Sequence, residues 1–247
     1  MAKQWMLLYG KNSVYERLKC NANTVKKVFL RDNFHEPSLE RLLEEKNIAV
    51  ERVPAKKLSD MRQSKDLQGI VARVERFRYS DFDEVLRKSQ KEELTFLFLD
   101  RISDPQNLGV ILRVAACFGR FAVVLPRFEA CEVTETVLHV AQGGENYVPM
   151  SCVTNLRNAV FAAKESGYWI GGGVIAQDAR DIHEVSLPFP FGLVLGSEGE
   201  GIRYGIQKHL DTQLKIPMRG AELSLNVAMA CTVFCYEISR QREHAKR

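Results

Sequence analysis

A run of five apolar residues, Phe191 to Leu195, ends abruptly in Gly196, Ser197, Glu198, Gly199, Glu200 and Gly201. A buried parallel strand has this composition, and a strand that empties into a glycine-rich polar loop lets backbone come close to a ligand. A second run, Leu214 to Ile216, is stopped by Pro217 and leads through a loop to a helix expected to begin at Ser224, where free backbone amides face the same crevice. A third, Leu94 to Asp100, is followed by RISDPQNLGVILRVAACFG, in which Pro105 and Gly109 bound a turn and Val110 to Phe118 are helical. The pattern places Asn107 in the loop above the strand and Arg113 one turn into the helix. Strand, polar loop and helix in that order gather function at the carboxyl ends of strands.

The 247 residues are 45% hydrophobic, enough for a large core, and two units are expected. Residues 1–76 alternate between helix and strand. Asn12 and Ser13 stand ahead of a helix containing Val14 and Leu18, Val25 to Leu30 read as a strand, and Pro37 opens a helix with Leu39, Leu42 and Leu43 on one face. Strands at Ile48 to Val53 and Gly69 to Val74, with a short helix between them at Lys56 to Met61, complete a small α/β unit. Residues 77–93 are densely charged and read as a linker carrying a helix with Phe82, Val85 and Leu86 on its apolar stripe. Residues 94–247 form the second unit. Within it, WIGGGVI from Trp169 to Ile175 is a buried strand whose Gly171, Gly172 and Gly173 mark either close approach by a ligand or a bend.

The net charge of +4 is unevenly placed: residues 1–80 hold 17 Lys and Arg against 10 Asp and Glu, whereas residues 94–247 hold 15 against 16. A polyanion such as RNA is the natural partner for the first part, although a solvated basic face accounts equally well for charge alone. Six cysteines without a C-x-x-C pair read as reduced, and Cys231 and Cys235 have no histidine nearby in the sequence to complete a metal site, so no metal is expected. No apolar run reaches about 18 residues and MAKQWMLLYG lacks leader features, so a cytoplasmic protein that does not enter a membrane is expected. Dinucleotide and P-loop glycine signatures are missing, there is no G-x-S-x-G elbow, and the five histidines do not cluster with a nucleophile.

The three polar loops, in order, resemble the sequence motifs of the SpoU/TrmH family of RNA ribose 2′-O-methyltransferases in the SPOUT class. Asp100, Asp104, Pro105, Asn107, Gly109, Ile111 and Arg113 match the first motif; Leu193, Gly196, Glu198, Gly199 and Gly201 match the second. Ile216, Pro217, Met218, Gly220, Ser224, Leu225, Asn226 and Val227 match the third. Ala228 and Gln142 depart from the usual pattern, where relatives place a serine and a small residue. More weakly, Gly10, Asn12, Val14 and the LQGIVA stretch from Leu67 to Ala72 resemble the ribosomal-protein-like RNA-binding domain that precedes the catalytic domain in many members.

The resemblance implies a parallel sheet with a C-terminal trefoil knot, S-adenosylmethionine bound in that knot, and a homodimer whose partner subunit completes the site. It implies cofactor contacts around Gly196, Ile216 and Leu225, with Gly171, Gly172, Gly173 and Met218 lining the pocket. Arg113 becomes the leading catalytic candidate, with Asn107, Ser224 and Asn226 as hydrogen-bonding groups and Glu198 as an ion partner of Arg113 or a base. Ser224 also reads as the cap of the last helix. The expected reaction is methyl transfer to a guanosine ribose of 23S ribosomal RNA. The alternatives are a transfer RNA substrate, or a non-catalytic RNA-binding ribosome-assembly factor on the same fold.

Overall fold

The computed structural model of the chain describes residues 5–221 and 223–245. It opens on a strand that the sequence pattern does not announce, β1 (Trp5–Tyr9), which turns at Gly10 (φ 87°) into α1 (Lys11–Asn21). Asn12 and Ser13 lie inside the first turn of that helix and not ahead of it, because Gly10 occupies the cap position and makes the turn. Next come β2 (Val25–Arg31), α2 (Pro37–Glu45), β3 (Val50–Val53), α3 (Ala55–Met61) and β4 (Ile70–Glu75). The four strands form one sheet in the order β1-β4-β2-β3, antiparallel except for the parallel β2/β3 pair. Alternation along the strands divides the apolar residues: Leu8, Val28 and Ile70 join Val14 and Leu18 of α1 and Leu39 of α2, while Leu7, Phe29 and Val71 join Leu58 of α3.

The connector that follows is packed along its length. Ser80 donates its backbone N–H to Met150 at 2.7 Å, and Tyr79 accepts the backbone N–H of Val133 at 3.0 Å. Asp81 caps α4 (Phe82–Glu92), whose Phe82, Val85 and Leu86 pack in one cluster with Phe96.

The second sheet is built from β5 (Thr95–Asp100), α5 (Pro105–Phe118), β6 (Phe121–Pro126), α6 (Glu135–Ala141), β7 (Met150–Val153), α7 (Leu156–Glu165) and β8 (Trp169–Gly173). It continues with β9 (Arg180–Asp181), β10 (Phe191–Gly196), α8 (Tyr204–Gln207), β11 (Thr212–Lys215) and α9 (Val227–His244). Its seven strands run in the order β7-β6-β5-β10-β8-β11-β9, and every pairing is parallel. From β5 the chain moves outward to β6 and β7, whereas β8, β9 and β11 lie beyond β10. The order therefore reverses between β5 and β10, and a crevice opens outside their carboxyl ends. After β11 the chain returns to α9, which packs on α5 and donates from Arg242 to Thr95 Oγ1 at 2.6 Å.

The glycines of β8 have a packing reason. A Cβ on Gly172 would lie 2.3 Å from Leu210 Cδ1, and one on Gly171 2.9 Å from both Leu214 and Phe191. On Gly173 it would lie 2.7 Å from Leu195. Large side chains of the neighbouring elements fill the space that β8 leaves, and the strand stays regular with no register shift.

Candidate active site

The first loop is shorter than the sequence pattern predicts, because the helix starts earlier. Asp104 Oδ1 accepts the backbone N–H of Gln106 at 2.8 Å, and Pro105 fills the first helical position, so α5 begins five residues before Val110. Asn107 is thereby in the first turn of α5, only 9% exposed, and not in a loop. Gly109 does not bound a turn: a Cβ there would lie 2.6 Å from Val140 Cβ, so it serves the close packing of α5 on α6.

The second loop folds back on its own strand. A Cβ on Gly196 would lie 2.1 Å from the carbonyl carbon of Gly201, and the Gly201 N–H returns to the Ser197 carbonyl at 2.9 Å. Only glycine admits this closure. Two arginines hold the loop against β5, and neither belongs to the expected site. Asp100, fully buried, accepts the Arg203 backbone N–H and Nε, each at 2.8 Å, and Arg203 also reaches Glu129 at 3.3 Å. Arg101, in a left-handed conformation at φ 62°, pairs with Glu200 and donates to the Gly201 carbonyl at 3.4 Å. The signal available in the sequence was the acid at the last position of an apolar strand, a place where a buried charge requires a partner.

The three loops meet at Glu198. Its Oε1 accepts Asn107 Nδ2 at 3.2 Å, the Val227 backbone N–H at 3.3 Å, and Asn226 Nδ2. Asn226 Nδ2 also donates to Asn107 Oδ1 at 3.0 Å, and Asn226 Oδ1 accepts the Ala228 N–H at 2.9 Å. Asn226 is therefore the cap of α9, and Ser224 is an exposed loop residue two positions upstream with no hydrogen bond among the described residues. The asparagine wins the cap because its side chain bonds both the helix start and the crevice. All three bonds to Glu198 fall on one oxygen; Oε2 accepts none from the described residues.

Arg113 is separate from this cluster. It lies six residues beyond Asn107 on α5, exposed, with no hydrogen-bond or ion-pair partner among the described residues. Glu198 is thus not its ion partner within one chain. Beside it α5 and α9 present an apolar surface: Val110, Phe118, Met229, Val233 and Tyr236 are each more than a third exposed, and the Phe118 and Tyr236 rings meet edge to face. Ile216 and Leu225 are half-buried and Met218 exposed, all in the irregular segment between β11 and α9, where main-chain groups are not consumed by helix or strand. Gly173 ends β8 opposite Leu195, one residue short of Gly196, while Gly171 and Gly172 lie lower in the sheet.

Residues 94–236 match the family model for the SpoU rRNA Methylase family, and residues 7–80 match that for RNA 2′-O ribose methyltransferase substrate binding. A protein of Staphylococcus saprophyticus, assigned as a TrmH family tRNA/rRNA methyltransferase, is 32% identical over 244 residues covering 97% of each chain. A Bacillus subtilis protein of the same assignment is 32% identical over 98% of each. Among solved structures, the SpoU methyltransferase AviRb from Streptomyces viridochromogenes in complex with AdoMet superposes with a TM-score of 0.79 at 22% identity, covering 98% of this chain and 92% of that one. An AdoMet-bound rRNA methyltransferase from Sinorhizobium meliloti gives 0.79 at 21% identity, with 98% and 88% covered. With both units matched in order and the motif residues converging at the switch point of the sheet, the chain belongs to the SpoU/TrmH family of RNA methyltransferases.

Proposed function

We propose that this protein transfers a methyl group from S-adenosylmethionine to the 2′-hydroxyl of a ribose in ribosomal RNA, with a guanosine of 23S RNA as the first choice. The observation that carries the reading is the convergence of Asn107, Glu198 and Asn226, one from each motif, on a single carboxylate oxygen at the carboxyl ends of β5 and β10. The preference for ribosomal over transfer RNA rests on the description of the matched family and on the separate N-terminal unit.

The residues present suit the cofactor. The irregular segment holding Ile216, Met218 and Leu225 offers main-chain donors and apolar surface to an adenine, and the carboxylate of Glu198 is compatible with a nearby cation. Gly196 and Gly173 contribute backbone at the same edge, with Gly171 and Gly172 beneath. When bound, S-adenosylmethionine supplies a methyl group activated by the adjacent sulfonium, and the protein must orient the hydroxyl in line with it and relieve it of a proton.

Asn226 spends its side chain on α9, Asn107 and Glu198, so both asparagines act by fixing the carboxylate. Glu198 Oε2 is left as an acceptor for the hydroxyl proton. Arg113, with the planar fork of donors of its guanidinium, clamps a substrate phosphate and stabilises charge on the 2′-oxygen. Ser224 offers a further donor at the rim.

A homodimer completes this arrangement. Pairing of two copies through the apolar α5/α9 surface buries Val110, Phe118, Met229, Val233 and Tyr236 and carries Arg113 to the partner's crevice. The return of the chain from β11 to α9 is compatible with a trefoil knot around the cofactor segment. Among the described residues no helix is long and apolar enough to cross a membrane, and we place the enzyme in the cytoplasm with its RNA.

Transfer of tritiated methyl from labelled S-adenosylmethionine to total ribosomal and transfer RNA, followed by mapping of the labelled nucleotide, tests the proposal. Label on a ribose oxygen of 23S RNA is the expected result. Label confined to transfer RNA overturns the substrate, and S-adenosylmethionine failing to bind by calorimetry overturns the enzyme in favour of an assembly factor.

A further inference from the structure

The stretch from Gln142 to Tyr147 is held between the two units more tightly than a tethered pair of domains requires. On its N-terminal side Arg17 of α1 donates from Nη2 to Glu145 Oε1 at 3.0 Å, with the two side chains 6% and 0% exposed. Asn21 donates to Asn146 Oδ1 at 2.9 Å, Asn12 to Gln142 Oε1 at 3.4 Å, and Tyr147 to Glu16. Gly143, at φ 92°, lies so close to α1 that a Cβ would come within 2.3 Å of Glu16 Cβ. On the opposite side a Cβ on Gly144 would come within 2.9 Å of Arg113 Cα and 3.0 Å of the Leu112 carbonyl oxygen. Two adjacent glycines thus let a turn touch the N-terminal unit with one residue and the backbone of the arginine-bearing helix with the next.

A second contact lies along α6. Glu135 accepts the Leu7 N–H at 2.8 Å and pairs with Arg62 at 3.2 Å, while the His139 ring stacks on Tyr9 at 4.2 Å. Beneath both contacts one apolar cluster runs without a break from Leu8, Val14 and Leu18 to Leu97, Leu112 and Leu138. Burial pushes the Glu145 carboxyl above the usual carboxylate range and the Arg17 guanidinium opposes it. Such a pair is costly to break from one side and cheap to replace as a whole.

We propose that Arg17 and Glu145 are positioning residues that lock the N-terminal unit in one orientation relative to Arg113 of the same chain. The catalytic consequence rests on the function proposed above: RNA held by the first unit is delivered in a fixed register to the helix that carries the arginine. A first unit free to rotate must be ordered before RNA can bind both units at once, which weakens the apparent affinity by the fraction of time spent in the competent orientation, so a rigid seat favours productive binding in a way that a flexible tether does not.

The test uses the full chain with spin labels on Lys56→Cys, in α3, and Lys208→Cys, after α8, both exposed positions. Cys20, Cys117, Cys131 and Cys152 are replaced by serine, and labelled protein is diluted with unlabelled protein. Electron–electron resonance then reads the distance between the units without requiring catalysis. The parent is expected to give one narrow distance. Glu145→Gln broadens it, leaves about a tenth of the chains competent so that KM for the RNA rises about tenfold at near-constant kcat, and leaves S-adenosylmethionine affinity unchanged. The double variant R17M/E145L restores the narrow distance and brings KM back to within about threefold of the parent. Gly143→Ala, which collides with Glu16, must broaden the distance independently should Glu145→Gln not fold.

A broad distance in the parent overturns the proposal, as does Glu145→Gln leaving distance and KM untouched. A parallel loss of S-adenosylmethionine affinity also overturns it, because the pair would then support the catalytic fold as a whole. A narrow parent distance with no methyl transfer to any RNA strikes the functional reading alone and leaves the locked orientation standing.

Discussion

The crevice and the junction between the units are each organised around a glutamate, and the two are used in opposite ways. Glu198 is exposed on a loop, with three donors crowded on one oxygen and the other left open. Glu145 is sealed from solvent against a buried guanidinium. A carboxylate that must meet a substrate has to be oriented without being enclosed. One that fixes two bodies is best enclosed, since its charge then makes every other arrangement unfavourable.

The sharpest way to break this comparison is at the crevice. Arg113→Ala is expected to lower single-turnover methyl transfer by about 10²- to 10³-fold while leaving S-adenosylmethionine affinity intact in calorimetry. Lost cofactor binding would instead place the arginine in the cofactor pocket. Next in size is a paired test of the glycines. Gly196→Ala drives a methyl group into the Gly201 carbonyl and should eliminate cofactor binding. Gly172→Ala meets the side-chain tips of Leu210 and Ile202 and should cost about 1–3 kcal/mol of unfolding free energy with affinity retained. Equal loss of affinity in both would mean that β8 contacts the ligand directly.

Asp100→Asn removes the buried charge of the Arg203 clamp and turns one of its two acceptor oxygens into a donor facing Arg203. Because Arg203 is 39% exposed and keeps Glu129, the expected cost is about 2 kcal/mol in denaturant unfolding, with weaker cofactor binding as the loop loosens. The smallest effect lies in the first unit. Hydrogen bonds from Lys27 and Lys57 hold the Glu51 carboxyl down to about 2, below its unfolded value. Its contribution is therefore complete above the unfolded value and disappears as pH falls toward 2. Melting curves of the parent and Glu51→Gln should converge over that window; a constant offset would assign the difference to packing.

The crevice was legible in outline because apolar strand ends followed by glycine and polar residues carry a strong local signal. What the sequence hid was set by competition between neighbours. Asn107 read as a loop residue because Gly109 looked like a turn, whereas Asp104 and Pro105 start the helix earlier and Gly109 serves helix packing. Ser224 looked like the cap, and Asn226 took the position because it can also reach Glu198. β1 gives no period-two signal because WMLLY does not alternate, and both faces of its sheet are covered. The clamp of Asp100 and Arg203 spans 103 residues, a separation at which no local pattern announces a pairing.

One helix links the crevice, the junction between the units and the apolar surface. α5 contributes Asn107 at its first turn, rests its middle on Gly144, and shows Phe118 at its last turn on the apolar surface. Fourteen residues make a rod about 21 Å long, and a rod has no independent ends. A tilt imposed where RNA is seated must also be felt where the carboxylate is held and where a second copy would rest, so these three events share one mechanical degree of freedom.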